Sequence, residues 1–389
     1  MKSPWPTKKL GEICKIRTGK KDVDEGNPKG KYPFFTCSRE ITCSDTYSFD
    51  TEAILIAGNG DVGNTKIYKG KFEAYQRTYV LDGFQEDIRY IYYYLIGNLK
   101  RILIQSKSGS TMPYIRKGDL ANFEIPLPTL PIQQKIVRIL DTIQSAIDIQ
   151  EKIIEKTNEL KKSLMAELFK YGGPSFRKGR KLKKTEIGEI PDDWEVVRIK
   201  DIGSVITGTT PPTSVKEFWD GEIPFVTPSD FENDSVYVYQ TERKVTKAGA
   251  QKGRIIPKDS ILVVCIGSTL GKIALSYEEC ITNQQINAII CENFNINPFF
   301  VYYFLLKNQG LLKAYAGTTT KPIVKKSLFE IFSIPLPPLP EQQEITEILQ
   351  TIDQKIEIEK KKKELYEELF KTMLNKIMNQ EIDVENIEV

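Results

Sequence analysis

Ile125-Pro126-Leu127-Pro128-Thr129-Leu130-Pro131-Ile132-Gln133-Gln134 returns 209 residues later as Ile334-Pro335-Leu336-Pro337-Pro338-Leu339-Pro340-Glu341-Gln342-Gln343. A block repeated this closely points to internal duplication, and a duplication decides the organisation of a chain before any local reading does. The surrounding sequence agrees. Trp5-Pro6-Thr7-Lys8-Lys9-Leu10 leads into Ile13 and Thr18-Gly19, as Trp194-Glu195-Val196-Val197-Arg198-Ile199 leads into Ile202 and Thr207-Gly208. Ile54-Leu55-Ile56 before Gly60 matches Ile261-Leu262-Val263 before Gly267. Tyr92–Ile96 matches Tyr302–Leu306, and Gly109-Ser110-Thr111 matches Gly317-Thr318-Thr319. The order is the same in both halves, and the drifting offset fits loop insertions.

Each repeat has two parts. The first, residues 1–130 and 185–339, mixes short β-rich runs such as Ala53–Ala57 and Ser260–Ile266 with glycine turns and a tyrosine-rich helix. The second is a long helix, 131–171 and 340–378, opened by Pro131 or Pro340, where a missing N–H costs nothing. Apolar residues recur at alternating steps of four and three: Ile136, Leu140, Ile143, Ile147, Ile154, Leu164 and Leu168, then Ile345, Leu349, Ile352, Ile356, Tyr366, Phe370, Met373 and Ile377. That spacing is the seam of a left-handed coiled coil. Gln150, Thr157, Lys161, Glu359 and Lys363 interrupt it, which predicts a weak middle. Each helix should run about 38 residues, or about 57 Å. The expected fold is mixed α+β: two globules joined by two long antiparallel coiled-coil helices, with a pseudo-twofold internal repeat. Gly172-Gly173-Pro174 breaks the first helix, and the basic run at 172–184 should be a solvated linker. Residues 379–389 form a tail.

Composition limits the chemistry. A chain of 389 residues has room for two or three domains. No apolar h-region opens it and no apolar stretch approaches membrane-spanning length, so the expected compartment is the cytoplasm. Cys14, Cys37, Cys43, Cys265, Cys280 and Cys291 include no C-x-x-C pair and should be reduced. The net charge of +3 is too small to argue for nucleic acid by itself. The chain contains no histidine, which excludes Ser-His-Asp and Cys-His catalysis and histidine-ligated metals together. Gly267-Ser268-Thr269-Leu270-Gly271-Lys272 has the wrong glycine spacing for a phosphate-binding P-loop. Asn297-Pro298-Phe299-Phe300 lacks the second proline of the amino-methyltransferase tetrapeptide and reads as a turn. Pro191-Asp192-Asp193 lacks the later acidic-x-lysine of a restriction nuclease. No catalytic or metal-binding set emerges.

Three polar loop clusters recur in both halves and suit DNA. The first comprises Lys20 and Lys21 after Gly19, and Thr209 and Thr210 after Gly208. The second is Gln76 and Arg77, matched by Gln284 and Gln285. The third is Ser110 and Thr111 with Arg116 and Lys117, matched by Thr318, Thr319 and Lys321 with Lys325 and Lys326. Arg and Gln form bidentate bonds to base edges, while Lys, Ser and Thr serve phosphates.

The paired Ile-Pro-Leu-Pro…Gln-Gln blocks, the tryptophan openings and the two long helices resemble the specificity subunits of type I restriction–modification systems. The likeness covers essentially the whole chain. Thr129 and Ile132 depart from the family pattern in the first copy, where the second has Pro338 and Glu341. The resemblance implies that each globule is a target recognition domain reading one half of a bipartite site on double-stranded DNA. It implies that the helices set the spacing and dock two modification (methyltransferase) subunits, which restriction (translocase and nuclease) subunits then join. S-adenosylmethionine, ATP and Mg would belong to those partners, and this chain would hold no cofactor. A stand-alone DNA methyltransferase or nuclease is the competing reading, disfavoured by the missing motifs. A coiled-coil adaptor would leave the duplicated globules unexplained.

Overall fold

In the computed structural model, which describes residues 5–105, 114–232, 235–316 and 322–387, both Ile-Pro-Leu-Pro blocks are β-strands. Glu124–Pro126 pairs antiparallel with Thr7–Lys9, setting Lys8 opposite Ile125. Ser333–Leu336 pairs in the same way with Glu195–Arg198, setting Val197 opposite Ile334. Two-stranded ladders tolerate these prolines because each strand has a free edge. The tryptophan opening of each repeat is thus stitched to its end, immediately before the long helix.

The chain divides into two units, Met1–Lys152 with Lys360–Val389, and Ile153–Glu359. The division falls within both long helices, Leu130–Tyr171 and Leu339–Met378, of 42 and 40 residues. In the first unit a six-stranded sheet runs in the order Lys15–Thr18, Thr78–Asp82, Phe49–Ala57, Thr65–Ala74, Tyr32–Phe35, Thr42–Ser44. In the second, a five-stranded sheet runs Ser204–Thr207, Ile286–Ile290, Ile261–Val264, Ile273–Ser276, Tyr237–Val238. The first four strands correspond one to one and pair antiparallel in both units. The second unit adds a four-stranded sheet containing Trp219–Val226. Alternating β-branched residues such as Ile54 and Ile56, or Ile261 and Val263, bury one sheet face against the tyrosine helix, Ile88–Gln105 or Pro298–Lys307.

The long helices complete both cores. In the first unit Ile136 and Leu140 share a core with Leu374 and Ile377. In the second, Met165 and Leu168 share one with Ile345 and Leu349. The start of one helix therefore meets the end of the other, which is antiparallel packing. Tyr93 donates its hydroxyl to Asp141, and Tyr303 donates to Asp353 at 2.6 Å, so each tyrosine helix is tied to a long helix.

The polar interruptions of the seam turn inward. Gln150, Thr157, Lys161 and Glu359 are all buried. Lys161 Nζ lies 2.5 Å from Asp353, while Lys363 in the first unit pairs with Glu151 at 3.1 Å. The buried Lys161–Asp353 pair favours one register, because a shifted helix would strand its charges, whereas the Lys363–Glu151 pair is exposed.

The motif glutamines have structural work. Gln133 donates to Pro128 O and accepts from Asp87 N. Gln342 donates to Pro337 O and Asn295 O and accepts from Asn297 N at 2.8 Å. Each one clamps the loop that starts a tyrosine helix. Asn297 caps the helix Pro298–Lys307 by accepting from Phe299 N, which accounts for the Asn-Pro-Phe-Phe stretch. Glu341 is wholly buried and accepts from Trp194 Nε1 at 3.0 Å, Gly173 N at 3.0 Å and Arg180. The basic run is accordingly not a simple solvated linker. The Arg180 side chain is 7% exposed, bonded to Glu341 and to Asp193, and these bonds raise its proton affinity. Leu182–Thr185 also pairs with Gly188–Pro191 as a hairpin. The first repeat has Ile132 at the Glu341 position, partly buried against the apolar core of that unit.

Candidate nucleic-acid interface

Strand register gathers the recurring loops at one edge of each sheet. In the first unit Thr18 lies opposite Tyr79, Ala57 opposite Thr78, and Ile56 opposite Thr65. The loops after Thr18, before Thr78, and between Ala57 and Thr65 therefore leave the sheet together. Backbone bonds lock them: Gln76 N to Lys21 O at 2.9 Å, Gly58 N to Arg77 O at 2.9 Å, and Ile115 N to Gly58 O at 2.8 Å. In the second unit Thr207 lies opposite Asn287 and Val264 opposite Ile286. Cys265 N donates to Gln285 O at 2.8 Å, and Val324 N donates to Cys265 O at 2.9 Å. Those two bonds repeat the Gly58–Arg77 and Ile115–Gly58 pair of the first unit. The Thr-Gly motif has a steric cause. A Cβ on Gly19 would sit 1.8 Å from Ala74 O, and one on Gly208 would sit 2.2 Å from Asn283 O. Only glycine lets the loops approach this closely.

The expected contact residues separate into exposed and committed groups. Lys20, Gln76, Arg77, Arg116, Lys117, Gln284, Lys325 and Lys326 are exposed, and Thr209 and Thr210 are half-buried at the same edge. Gln76 Nε2 donates to Asp22 at 3.1 Å, and Thr210 donates to Gln284 Oε1 at 2.7 Å. Arg116 donates to the Tyr114 hydroxyl at 2.7 Å, and Lys326 pairs with Glu330. Two residues are tied into the loops. Lys21 is half-buried and donates to Ser44 and Thr46. Gln285 donates to Ile266 O and accepts from Asn283 Nδ2. Ser110, Thr111, Thr318, Thr319 and Lys321 lie outside the described residues.

Sequence reading missed part of this edge. The turns Gly58–Asn64 and Ile266–Gly271 stand beside the other loops, and the matched Gly60 and Gly267, both at positive φ, were the available signal. Arg254 had no counterpart to mark it, yet it reaches Thr207 O at 2.6 Å from an exposed position. Lys66 donates to Ser38 O, and burial holds its ammonium below the ordinary lysine range. Among the described residues no three acidic or cysteine side chains cluster to hold a metal, and no helix is long and apolar enough to cross a membrane.

Known proteins share this arrangement. The type I restriction modification DNA specificity domain matches residues 2–159 and again 191–368. The chain belongs to the type I restriction–modification specificity-subunit family. The EcoDI specificity subunit of Escherichia coli is 30% identical over 375 residues, covering 88% of this chain and 79% of that protein. The MjaVIII specificity subunit of Methanocaldococcus jannaschii is 27% identical, covering 98% and 94%. The crystal structure of a type I S subunit from M. genitalium superposes with a TM-score of 0.62 at 18% identity, covering 96% of this chain and 95% of that one. A chain from a study of complex assembly in a type I system gives 0.60, covering 96% and 97%. These two share the fold. The family comparisons give no support to a stand-alone methyltransferase or nuclease.

Proposed function

We propose that this specificity subunit reads a bipartite site on double-stranded DNA, one half with each sheet-edge loop cluster. The observation that carries the reading is that the same edge is built twice, with the same backbone bonds but different side chains. A duplicated frame with divergent tips suits two half-sites of different sequence. Residues 1–130 and 185–339 serve as the recognition domains, 131–171 and 340–378 as helices that set the half-site spacing, 172–184 as the connection and 379–389 as a tail. Exposed Gln76, Arg77, Gln284 and Arg254 are suited to base edges. Lys20, Lys117, Lys325 and Lys326 are suited to phosphates.

The helices also carry a face for partners. Ile149, Ile153 and Leu160 on one, and Ile358, Leu365 and Leu369 on the other, are large, apolar and exposed. Their steps of four and seven residues keep each set on one side of its helix. Such exposed apolar helix positions fit modification subunits, with restriction subunits joining them in the cytoplasm. S-adenosylmethionine, ATP and Mg belong to those partners, and this chain has no catalytic part.

The test is Gln284→Ala in the complex reconstituted with modification subunits. A lost bidentate base contact costs roughly 1–3 kcal/mol of discrimination at one base pair. Methylated-site sequencing should show relaxed specificity within one half-site and an unchanged second half. Unchanged specificity in both halves, with the same result for Gln76→Ala, would count against the reading. S-adenosylmethionine binding by the isolated chain would favour the enzyme alternative.

A further inference from the structure

The second unit has a cavity of about 830 Å³ where the first long helix passes the tyrosine helix and the turn after Val264. Lys161, Lys162, Lys272, Lys307 and Lys313 line it, and Glu232 is the single carboxylate among the described lining residues. Two of these lysines are already used. Lys161 pairs with Asp353, and Lys272 donates to Phe231 O at 2.9 Å. Lys307 and Lys313 form no ion pair among the described residues. Protein crowding around Lys307 removes water from its ammonium and pushes its pKa below the ordinary lysine range.

The other repeat shows that such an opening is not required by the fold. At the positions matching Lys307, Lys161 and Met165 the first unit carries Gly97, Phe370 and Leu374. A Cβ on Gly97 would already lie 3.2 Å from Leu374, and Phe370 is in ring contact with Tyr93 at 5.9 Å between centroids. The first unit closes this junction with hydrocarbon, whereas the second leaves it open and basic. Lys307 and Lys313 are largely exposed at the mouth of this opening, and an arriving anion offsets the partial loss of water around Lys307. Lysine meets phosphate as a point charge on a flexible stem.

We propose that this cavity is a phosphate-binding site, present in the second unit alone, with Lys307 and Lys313 as its principal cations. The phosphate could be carried by the DNA backbone or by a free phosphorylated small molecule, and the volume admits either. The site shares the turn Ile266–Gly271 with the proposed reading edge, but its principal cations lie on the helices Pro298–Lys307 and Gln309–Tyr315.

The experiment uses the full chain, the variant with Lys307→Gln and Lys313→Gln, and Lys371→Gln in the first unit as a control. Calorimetric titration with inorganic pyrophosphate should show one site in the parent and in the control, weakened at least tenfold in the double variant. DNA binding is measured against salt in parallel. Each phosphate contact contributes about 0.9 to the slope of log K against log salt. A fall of roughly two in the double variant, with pyrophosphate competing against DNA, assigns the site to the DNA backbone. An unchanged slope with pyrophosphate binding lost assigns it to a free ligand. If neither the slope nor pyrophosphate binding responds to loss of the two lysines, the proposal is overturned. Failure of the parent to bind DNA would contradict the DNA-reading function and leave the pyrophosphate result standing. Circular dichroism verifies the fold, and Lys313→Gln alone serves if the double variant is unstable.

Discussion

Replacing Glu341 by alanine should destabilise the second unit and spare the first. Glu341 is fully buried, and its carboxylate accepts bonds from Arg180, Trp194 Nε1 and Gly173 N. Removing one partner of a buried ion pair costs about 3–5 kcal/mol, because the remaining charge is left unpaired. Each stranded N–H adds about 1–3 kcal/mol. Asp193, half exposed and 2.7 Å from Arg180, keeps part of the charge satisfied. Water entering the vacated space recovers more, so the expected net loss is about 4 kcal/mol. For a unit of this size 1 kcal/mol moves the melting temperature by roughly 2–4 °C, giving a shift of about 8–16 °C. Glu341→Gln keeps the shape and one acceptor, and should cost about half as much. The assay is differential scanning calorimetry with tryptophan fluorescence, since Trp194 is buried beside the substituted carboxylate. Ile132 occupies the matching position in the first unit, so that transition should not move. A shift below 2 °C, or an equal shift in both units, would refute the view that Glu341 fastens the second repeat.

Three other outcomes are expected. Leu160→Asp with Leu365→Asp should weaken capture of modification subunits at least tenfold in pull-down titrations while leaving DNA binding by the isolated chain intact, because both side chains are exposed. Adding four residues, about one turn and 6 Å, to each long helix should lengthen the unread spacer by nearly two base pairs at about 3.4 Å each, with both half-site sequences kept, as read by methylome sequencing. Burial pushes the Cys265 and Cys280 thiols up to about 12, so native-state alkylation by iodoacetamide should leave both unlabelled at pH 8. Thiolate is the reactive form, so labelling of these two should rise only as pH approaches that value or the fold is lost.

The parts of the fold legible in sequence were those with a period or a repeat. The duplication, the long helices and their apolar seam follow from matched blocks and from steps of four and three. The pairing of Thr7–Lys9 with Glu124–Pro126 is different, since more than a hundred residues separate the strands and no local pattern reports it. Polar seam residues read as weakness because sequence cannot show that Lys161 finds Asp353. Arg180 read as a solvated charge for the same reason, its partner Glu341 being far along the chain. At the loop edge, residue type was visible and commitment was not. Lys21 and Gln285 carry suitable groups, but Ser44, Thr46 and Ile266 O already occupy them. Arg254 was invisible because its loop exists in one repeat only.

The central claim is that each globule reads its own half-site. It is tested most directly by exchanging residues 1–130 for the same region of a relative that keeps the side chains packing on Ile136, Leu140 and Leu374. The chimera is assembled with modification subunits and its methylated sites are sequenced. The account predicts that one half of the bipartite motif changes to the donor's sequence while the other half stays as it was. A change in both halves, or no change in either from a folded and active chimera, would contradict it.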